Sequence, residues 1–375
     1  MESAFGAFGE ITRCPGREIG PEVVKTADVL LVRSVTPVDE ALLRDSAVQF
    51  VGSATIGTDH VDQAYLDAAG IAFAHAPASN ADSVADYVVA ALLRLAQRHG
   101  VSLAGRTVGI VGCGNIGSRL ARRLPALGLT VLKNDPPRAE AADGPHDFVS
   151  LDTVLDRADT VTCHVPITTE GPHPTHHLLS EDALARLSTD AWLINTSRGR
   201  VVDNEALLAG LRDEQVGGAV LDVWEGEPTP NAALVEAVDI ATPHIAGYAY
   251  DGKVRGTTML YEALCDYLDV EQTWSADAVL APESPDALHC QAPDPRLPRT
   301  DWLDHLARQA YDLPADDARM RDYVETPPEE RGDYFRHLRA TYPTRREMQI
   351  QTVSDSGVPP EYRTAVTDGL TLRCI

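Results

Sequence analysis

The sequence predicts an α/β protein whose central unit is a doubly wound parallel sheet, and three observations carry that expectation. Short apolar runs alternate with helical stretches from about residue 29 to residue 241, as strand–helix–strand crossovers require. Thr107–Gly117 reads TVGIVGCGNIG, an apolar run that ends in Gly112, Gly114 and Gly117 ahead of a helix-like stretch. That is a strand feeding a G-x-G-x-x-G turn, the dinucleotide-binding fingerprint of Rossmann-type sheets. Polar and charged residues also fall just past the strand-like runs, where open parallel sheets present ligands.

Taken in order, Val29–Arg33 reads as a strand, Val38–Arg44 as a helix, Gln49–Gly52 as a strand and Val61–Ala69 as a helix ended by Gly70, before strand character resumes over Ile71–Ala74. Arg33-Ser34 and Ser53-Ala54-Thr55 lie just past two of these strands. Asp82–Gly100 is a long helix capped near Asn80, with apolar Val84, Val88, Ala91, Leu92 and Leu95 on its face. Its place before the glycine fingerprint makes it the segment that carries the chain from one α/β unit to the next. Strand Val108–Val111 and helix Ser118–Leu127 flank the turn. Its three glycines suit a tight bend, close approach to a pyrophosphate and helix-on-strand packing, and Asn115 and Ile116 complete the cofactor-binding turn at a helix N-terminus. Strand Thr130–Asn134 ends in Asp135, 18 residues past Gly117. A carboxylate there accepts the ribose hydroxyls and repels a 2′-phosphate, which favours NAD over NADP, although Arg138 lies close by.

Helices Leu151–Arg157, Glu181–Leu187 and Asn204–Asp213 then alternate with strands Thr160–His164, Trp192–Asn195 and Gly218–Asp222, followed by Ile240-Ala241 and a helix over Gly252–Leu268. Beyond about residue 275, Pro282, Pro285, Pro293, Pro295 and Pro298 read as a linker to a third segment with helices over Thr300–Tyr311 and Pro327–Tyr342.

At 375 residues the chain has room for two or three domains, and 44% hydrophobic with 23% charged residues is ordinary globular composition. A net charge of −24 argues against nucleic acid and anionic membranes as partners. No apolar run approaches transmembrane length and no signal peptide opens the chain. Cys14, Cys113, Cys163, Cys265, Cys290 and Cys374 are scattered without a C-x-x-C pair, as expected of reduced thiols in a cytoplasm. No metal site is expected: His173, His176 and His177 share no ligand spacing with a carboxylate and read as a Pro-rich loop. Lysine is confined to Lys25, Lys133 and Lys253. A GC-rich genome accounts for that; the sharper expectation is adaptation to a salty cytoplasm, with thermal stability rising towards molar KCl.

A bound nicotinamide implies hydride transfer, for which the protein supplies a proton acceptor and a substrate anchor. Arg198, just past strand Trp192–Asn195, can grip a carboxylate in bidentate fashion. Glu227, in DVWEGEP, and His244, after Pro243, can act together, the carboxylate fixing the imidazole tautomer of a proton acceptor. Asp222 at its strand end can face the nicotinamide amide. Taken singly, each reads as a surface ion pair or a turn residue. Arg198, Glu227 and His244 all fall at strand ends of the unit that carries the fingerprint, and that coincidence favours chemistry.

These motifs, with SRGRVVDNEAL (Ser197–Leu207), LDVWEGEP (Leu221–Pro228) and PHIAGY (Pro243–Tyr248), resemble the NAD-dependent D-2-hydroxyacid dehydrogenases. The resemblance implies a Rossmann-type coenzyme domain (82–246) inserted in a smaller flavodoxin-like substrate domain (1–81 and 247–272). It also implies Arg198 on the substrate carboxylate, His244 as proton acceptor and Glu227 as its partner. VRSVTPVDEALL (Val32–Leu43), VGSATIGTDHVD (Val51–Asp62) and TPHIAGYAYDGKVRGT (Thr242–Thr257) resemble a narrower branch that acts on a phosphorylated 2-hydroxy acid in pyridoxal phosphate synthesis. That branch implies an α+β C-terminal dimerisation domain (273–375), where Arg345-Arg346-Glu347 resembles an Arg-Arg-Glu run, and hence a homodimer. It further implies substrate contacts at Ser34, Thr55 and Tyr248, and NAD contacts at Asp135, Val165, Asp222 and Gly247. Arg33, Ser34 and an arginine of the third segment are expected at the phosphate, for which an acidic protein needs local positive charge. Val165 departs from the Thr usual there and keeps only a backbone contact. Relatives carry a further strand ahead of Gly9–Ile19, so the natural chain is expected to begin upstream of Met1. Two other readings stay open: the same chemistry on another D-2-hydroxy acid such as 3-phosphoglycerate, and a non-catalytic NAD sensor that recruits a protein.

Overall fold

Six parallel strands form the sheet around which the larger part of the chain is built. In the computed structural model, which describes residues 2–142, 144–280, 287–289 and 298–375, they are β4 (Thr107–Val111), β5 (Thr130–Asn134), β6 (Thr160–Cys163), β7 (Trp192–Asn195), β8 (Gly218–Leu221) and β9 (Ile240–Ala241). Their spatial order is β5-β4-β6-β7-β8-β9. The winding reverses between β4 and β6, and open sheets bind ligands at such a switch point. Both faces are covered. Val108 and Ile110 of β4 and Trp192 and Ile194 of β7 point into a core shared with Val88, Leu92 and Leu95 of helix Ala81–Arg98, whereas Val111 and Leu193 point into the opposite core. Period-2 alternation between two buried faces is why these strands read as unbroken apolar runs.

The chain divides into two compact units, Met1–Asn80 with Tyr250–Glu283 and Ala81–Ala249 with Ser284–Ile375. In the first, β1 (Val29–Val32), β2 (Phe50–Ser53) and β3 (Ala72–His75) form a parallel sheet in sequence order. Asp62 caps helix Gln63–Ala69 by accepting the Tyr65 N–H, and Gly70 ends it at φ 70°. Leu260, Tyr261 and Leu264 of helix Tyr250–Leu268 back the sheet, and Phe5 and Phe8 pack their rings on Tyr261.

In the second unit the C-terminal residues share both cores of the large sheet. Leu303, Leu306 and Ala307 of helix Arg299–Ala310 pack with Ala81–Arg98, while Met320 and Tyr323 of Leu313–Glu325 and Phe335 of Arg331–Ala340 join the other core. The short parallel pair β10 (Thr352–Val353) and β11 (Arg373–Cys374) completes an α+β segment. Asp317 Oδ1 accepts the Ala241 N–H at 2.8 Å, and Arg321 donates to the Val238 and Asp239 carbonyls, so side chains close the otherwise open edge at β9.

The sequence expectations need correction in three places. The helix after the glycine turn starts at Asn115, with Gly114 as its N-cap, and gives way at Arg123 to a 3₁₀ turn over Leu124–Leu127, where Pro125 has no N–H to continue the ladder. Among the described residues the third segment holds three α-helices of ten or more residues rather than two: Leu313–Glu325 escapes the sequence reading, because LPADDARMRDYVE offers only Leu313, Met320 and Tyr323 as large apolar buried positions. Pro327–Tyr342 shortens to Arg331–Ala340. Of the proline linker, Pro282, Pro285, Pro293 and Pro295, like Cys290, lie outside the described residues. The described cysteines are all free thiols, and no described helix is long and apolar enough to cross a membrane.

Candidate active site

The glycine turn lies at the switch point. Gly112 has φ 90°, and a Cβ there would sit 2.6 Å from the His164 carbonyl oxygen and 2.7 Å from Val165 Cγ1. A Cβ on Gly117 would fall 2.1 Å from the Gly112 oxygen, whereas one on Gly114 would meet nothing within 4 Å among the described residues. Gly112 is thus required by the packing of the turn against the β6 end and Gly117 by the turn's own backbone, while Gly114 leaves its face open. Asp135 holds the turn: one carboxylate oxygen accepts the Cys113 N–H at 2.8 Å and the other accepts the Arg138 N–H at 3.2 Å. The Arg138 guanidinium bonds the Cys113 carbonyl. An ionised carboxylate has about four acceptor sites, so lone pairs remain for ribose hydroxyls. An open glycine cradle at the N-terminus of helix Asn115–Arg123, with an acidic residue beside it, fits a dinucleotide pyrophosphate and ribose.

The candidate catalytic residues sit on loops after β7, β8 and β9. Asn195 shapes the first loop, accepting the Ser197 N–H and hydroxyl and donating to the Arg198 carbonyl at 2.9 Å. Gly199 then runs so close to the second loop that a Cβ would lie 2.0 Å from the Trp224 carbonyl. This contact brings the Arg198 loop against the Trp224–Glu227 loop. Glu227 accepts the Trp224 N–H at 2.9 Å with one oxygen and meets His244 Nδ1 at 2.9 Å with the other. Burial pushes the Glu227 carboxyl up, but the charge and hydrogen bond of His244, the Trp224 N–H and the Arg339 charge outweigh it and hold it below the ordinary carboxylate range. With Nδ1 committed, His244 turns its Nε2 to other chemistry.

His244 has φ 58°, a left-handed conformation that a non-glycine residue holds only when its surroundings impose it. Asp222 supplies part of that imposition. Its buried carboxylate accepts from Thr242 Oγ1 (2.7 Å), Ile245 N (2.7 Å) and Ala246 N (2.9 Å). Burial raises its pKa against the His244 charge and these donors. Asp222 therefore braces the histidine loop from below, which sequence reasoning had not seen. Tyr87 bonds Thr242 Oγ1 at 2.7 Å and Trp224 Nε1 donates to the Thr242 carbonyl at 2.9 Å.

Gly247 and Tyr248 continue this loop. The Tyr248 ring meets Tyr342 edge-on at 5.7 Å, and the Arg339 guanidinium lies over it at 5.6 Å, two C-terminal neighbours that no sequence signal had linked to it. In the first unit Arg33 and Ser34 are exposed past β1, and Thr55 bonds Ser53 Oγ at 2.6 Å, which in turn meets His60 Nε2 at 3.0 Å. His164 went unremarked in the sequence: it meets Thr162 Oγ1 at 2.9 Å, and loss of water pushes its pKa down to about 3.

The reading of the His173–His177 loop also needs correction. His177 does have carboxylate neighbours, Glu225 at 2.7 Å and Asp203 at 3.6 Å, brought from other loops and so invisible to spacing. His173 meets Glu140 at 2.8 Å. Asp203 also caps helix Asn204–Arg212, and Glu225 accepts the Asn204 N–H, so these groups clip three loops together.

Residues 71–246 match the family model described as D-isomer specific 2-hydroxyacid dehydrogenase, NAD binding domain, and residues 296–366 match a domain of unknown function, DUF3410. Solved structures agree. A D-lactate dehydrogenase from Aquifex aeolicus, complexed with NAD and lactic acid, superposes with a TM-score of 0.57 at 27% identity over 67% of this chain and 86% of that one. An NAD-dependent formate dehydrogenase from Staphylococcus aureus in complex with NAD gives 0.55 at 25% identity, over 66% and 81%. Fold and site thus define an NAD-dependent oxidoreductase of the D-2-hydroxyacid dehydrogenase class. Among curated proteins, the erythronate-4-phosphate dehydrogenase of Salinibacter ruber is 63% identical over 376 residues, covering 100% of this chain and 96% of its own length. That of Azotobacter vinelandii is 49% identical over 369 residues, covering 98% and 95%. The chain belongs to the erythronate-4-phosphate dehydrogenase family.

Proposed function

We propose that this chain oxidises 4-phospho-D-erythronate to (R)-3-hydroxy-2-oxo-4-phosphobutanoate with NAD, a step towards pyridoxal 5′-phosphate. The observation that carries the reading is the His244–Glu227 pair at 2.9 Å, on a loop packed beside the Arg198 loop at the strand ends of a dinucleotide-binding sheet. NAD, held at Gly112–Gly117 with Asp135, Val165, Asp222 and Gly247 around it, supplies the hydride acceptor. Arg198 grips the C1 carboxylate and fixes C2. His244 Nε2 takes the C2 hydroxyl proton as hydride leaves the same carbon, and the Glu227 carboxylate stabilises the imidazolium that forms. Substrate contacts fall to Ser34, Thr55 and Tyr248, and Arg33 adds positive charge for the phosphate of a substrate that a chain of net charge −24 would otherwise repel.

The domain reading follows the sequence expectation: substrate domain 1–81 and 247–272, coenzyme domain 82–246, and a C-terminal segment through which two copies pair as a homodimer of the cytoplasm. The deciding experiment is steady-state NADH production with 4-phospho-D-erythronate and with 3-phosphoglycerate, each with and without an added 2-oxo acid. Turnover on the first acid alone supports the reading. Preference for 3-phosphoglycerate overturns the substrate, and NAD binding without NADH from any hydroxy acid makes the chain a sensor.

A further inference from the structure

The loop that carries His244 is held from two sides, and the second side belongs to the C-terminal segment. Both backbone groups of Ala246 are committed: its N–H to Asp222 below, and its carbonyl to the Arg345 guanidinium through Nη2. The same Nη2 reaches the Ser83 carbonyl at 3.3 Å, and the guanidinium lies on the Tyr311 ring face at 4.2 Å. Arg345 is only 7% exposed, yet its Nη1 has no hydrogen-bond partner among the described residues. A buried, incompletely satisfied cation is a poor stabiliser, and apolar packing of similar volume commonly does better. Its presence therefore asks for a role other than filling space.

The segment around it is anchored rather than draped. Ser83 Oγ donates to Glu347 at 2.6 Å and the Met348 N–H to Asp86 at 2.9 Å, while Asp86 also accepts from Arg123 at 2.8 Å. Ser83 and Asp86 sit on helix Ala81–Arg98, whose Tyr87 bonds Thr242 at the base of the histidine loop. One rigid helix thus references both the loop and the residue that clamps it.

We propose that Arg345 is a positioning residue for catalysis: by fixing the Ala246 carbonyl it holds His244 in its left-handed conformation and sets Tyr248 against Tyr342 and Arg339. The proposal rests on the reading of His244 as proton acceptor. It explains why a D-2-hydroxyacid dehydrogenase core carries this C-terminal segment folded into the same unit: besides any part in pairing copies, the segment completes the support of the catalytic loop.

The test uses the full-length enzyme with 4-phospho-D-erythronate and NAD. Arg345→Gln should lower kcat about 10- to 100-fold, as expected of a small misplacement of the proton acceptor, while the NAD Kd stays within about twofold. Arg345→Lys, which keeps a single donor for the Ala246 carbonyl, should recover at least about threefold of that loss. Gln351→Leu removes a buried hydrogen bond to Ala310 in the same segment without touching the loop; it should lower Tm and leave kcat within about twofold. Equal turnover in Arg345→Gln and the unaltered enzyme overturns the proposal. So does a kcat loss in Gln351→Leu that matches Arg345→Gln at equal loss of Tm. Should Arg345→Gln not fold, Arg345→Met, which keeps the volume and removes every donor, decides: reduced kcat at unchanged NAD affinity supports the role, and unchanged kcat removes it. Full turnover in His244→Asn would instead strike the underlying reading of the site.

Discussion

Two histidine–glutamate pairs hang from one short loop, and they are built for opposite ends. Glu225 meets His177 at 2.7 Å, and Glu227, two residues on, meets His244 at 2.9 Å. Both histidines have positive φ, 48° and 58°. They differ in what the second ring nitrogen does. His177 bonds Glu225 through Nε2 and has the Asp203 carboxylate 3.6 Å from Nδ1, so carboxylates of this chain lie at both ring nitrogens. His244 meets Glu227 through Nδ1, and the proposed function gives its Nε2 to the substrate beside the Arg198 loop. Distance alone does not separate the two pairs; the proposed function rests on the half-committed imidazole beside the Arg198 loop.

The largest expected effect separates the two histidines. His244→Asn should lower kcat by roughly two to four orders of magnitude with NAD still bound, whereas His177→Asn should leave kcat within about threefold and act on Tm. Equal losses in the two variants would erase the distinction. Next, Arg198→Gln should lower kcat/KM for the hydroxy acid about 100-fold, in line with the roughly 1.5–3 kcal/mol of a charged hydrogen bond, with NAD affinity unchanged by calorimetry. Among the two glutamates, Glu227→Gln should lower kcat about tenfold or more and shift the acid limb of the pH–rate profile, while Glu225→Gln should leave that limb in place.

The smallest effect is on stability against pH. The Glu227 carboxyl is held below its ordinary range when folded, so the unfolded chain binds that proton more readily. Its contribution is present above the unfolded carboxylate pKa of about 4.3 and lost as pH falls through the folded value, so Glu227→Gln should flatten the acid fall in Tm. His164, pushed from 6.5 down to about 3, stays neutral in the fold while the unfolded chain protonates. It therefore costs stability as pH drops from 6.5 towards 3, and His164→Gln should lessen the slope of Tm in that window.

The sequence reading succeeded where the information is local. A strand such as Trp192–Asn195 and a helix such as Leu151–Arg157 stand where the sequence places them, the helix start fixed by Ser150, which accepts the Thr153 N–H. The helix Leu313–Glu325 escaped because its few apolar residues face a core made by the distant sheet. The carboxylates around His177 escaped for the same reason, since Asp203 and Glu225 arrive from other loops.

What the sequence determined by itself was the doubly wound sheet, the glycine turn and the candidates Arg198, Glu227 and His244, because strand periodicity, glycine spacing and strand-end position are properties of neighbouring residues. What only the tertiary structure decided was how those candidates are held: Gly199 pressed on Trp224, Asp222 under Ala246 and Arg345 above it. These are contacts between residues far apart in the chain. Their geometry is set by how two buried faces of one sheet pack, and no local pattern encodes that packing.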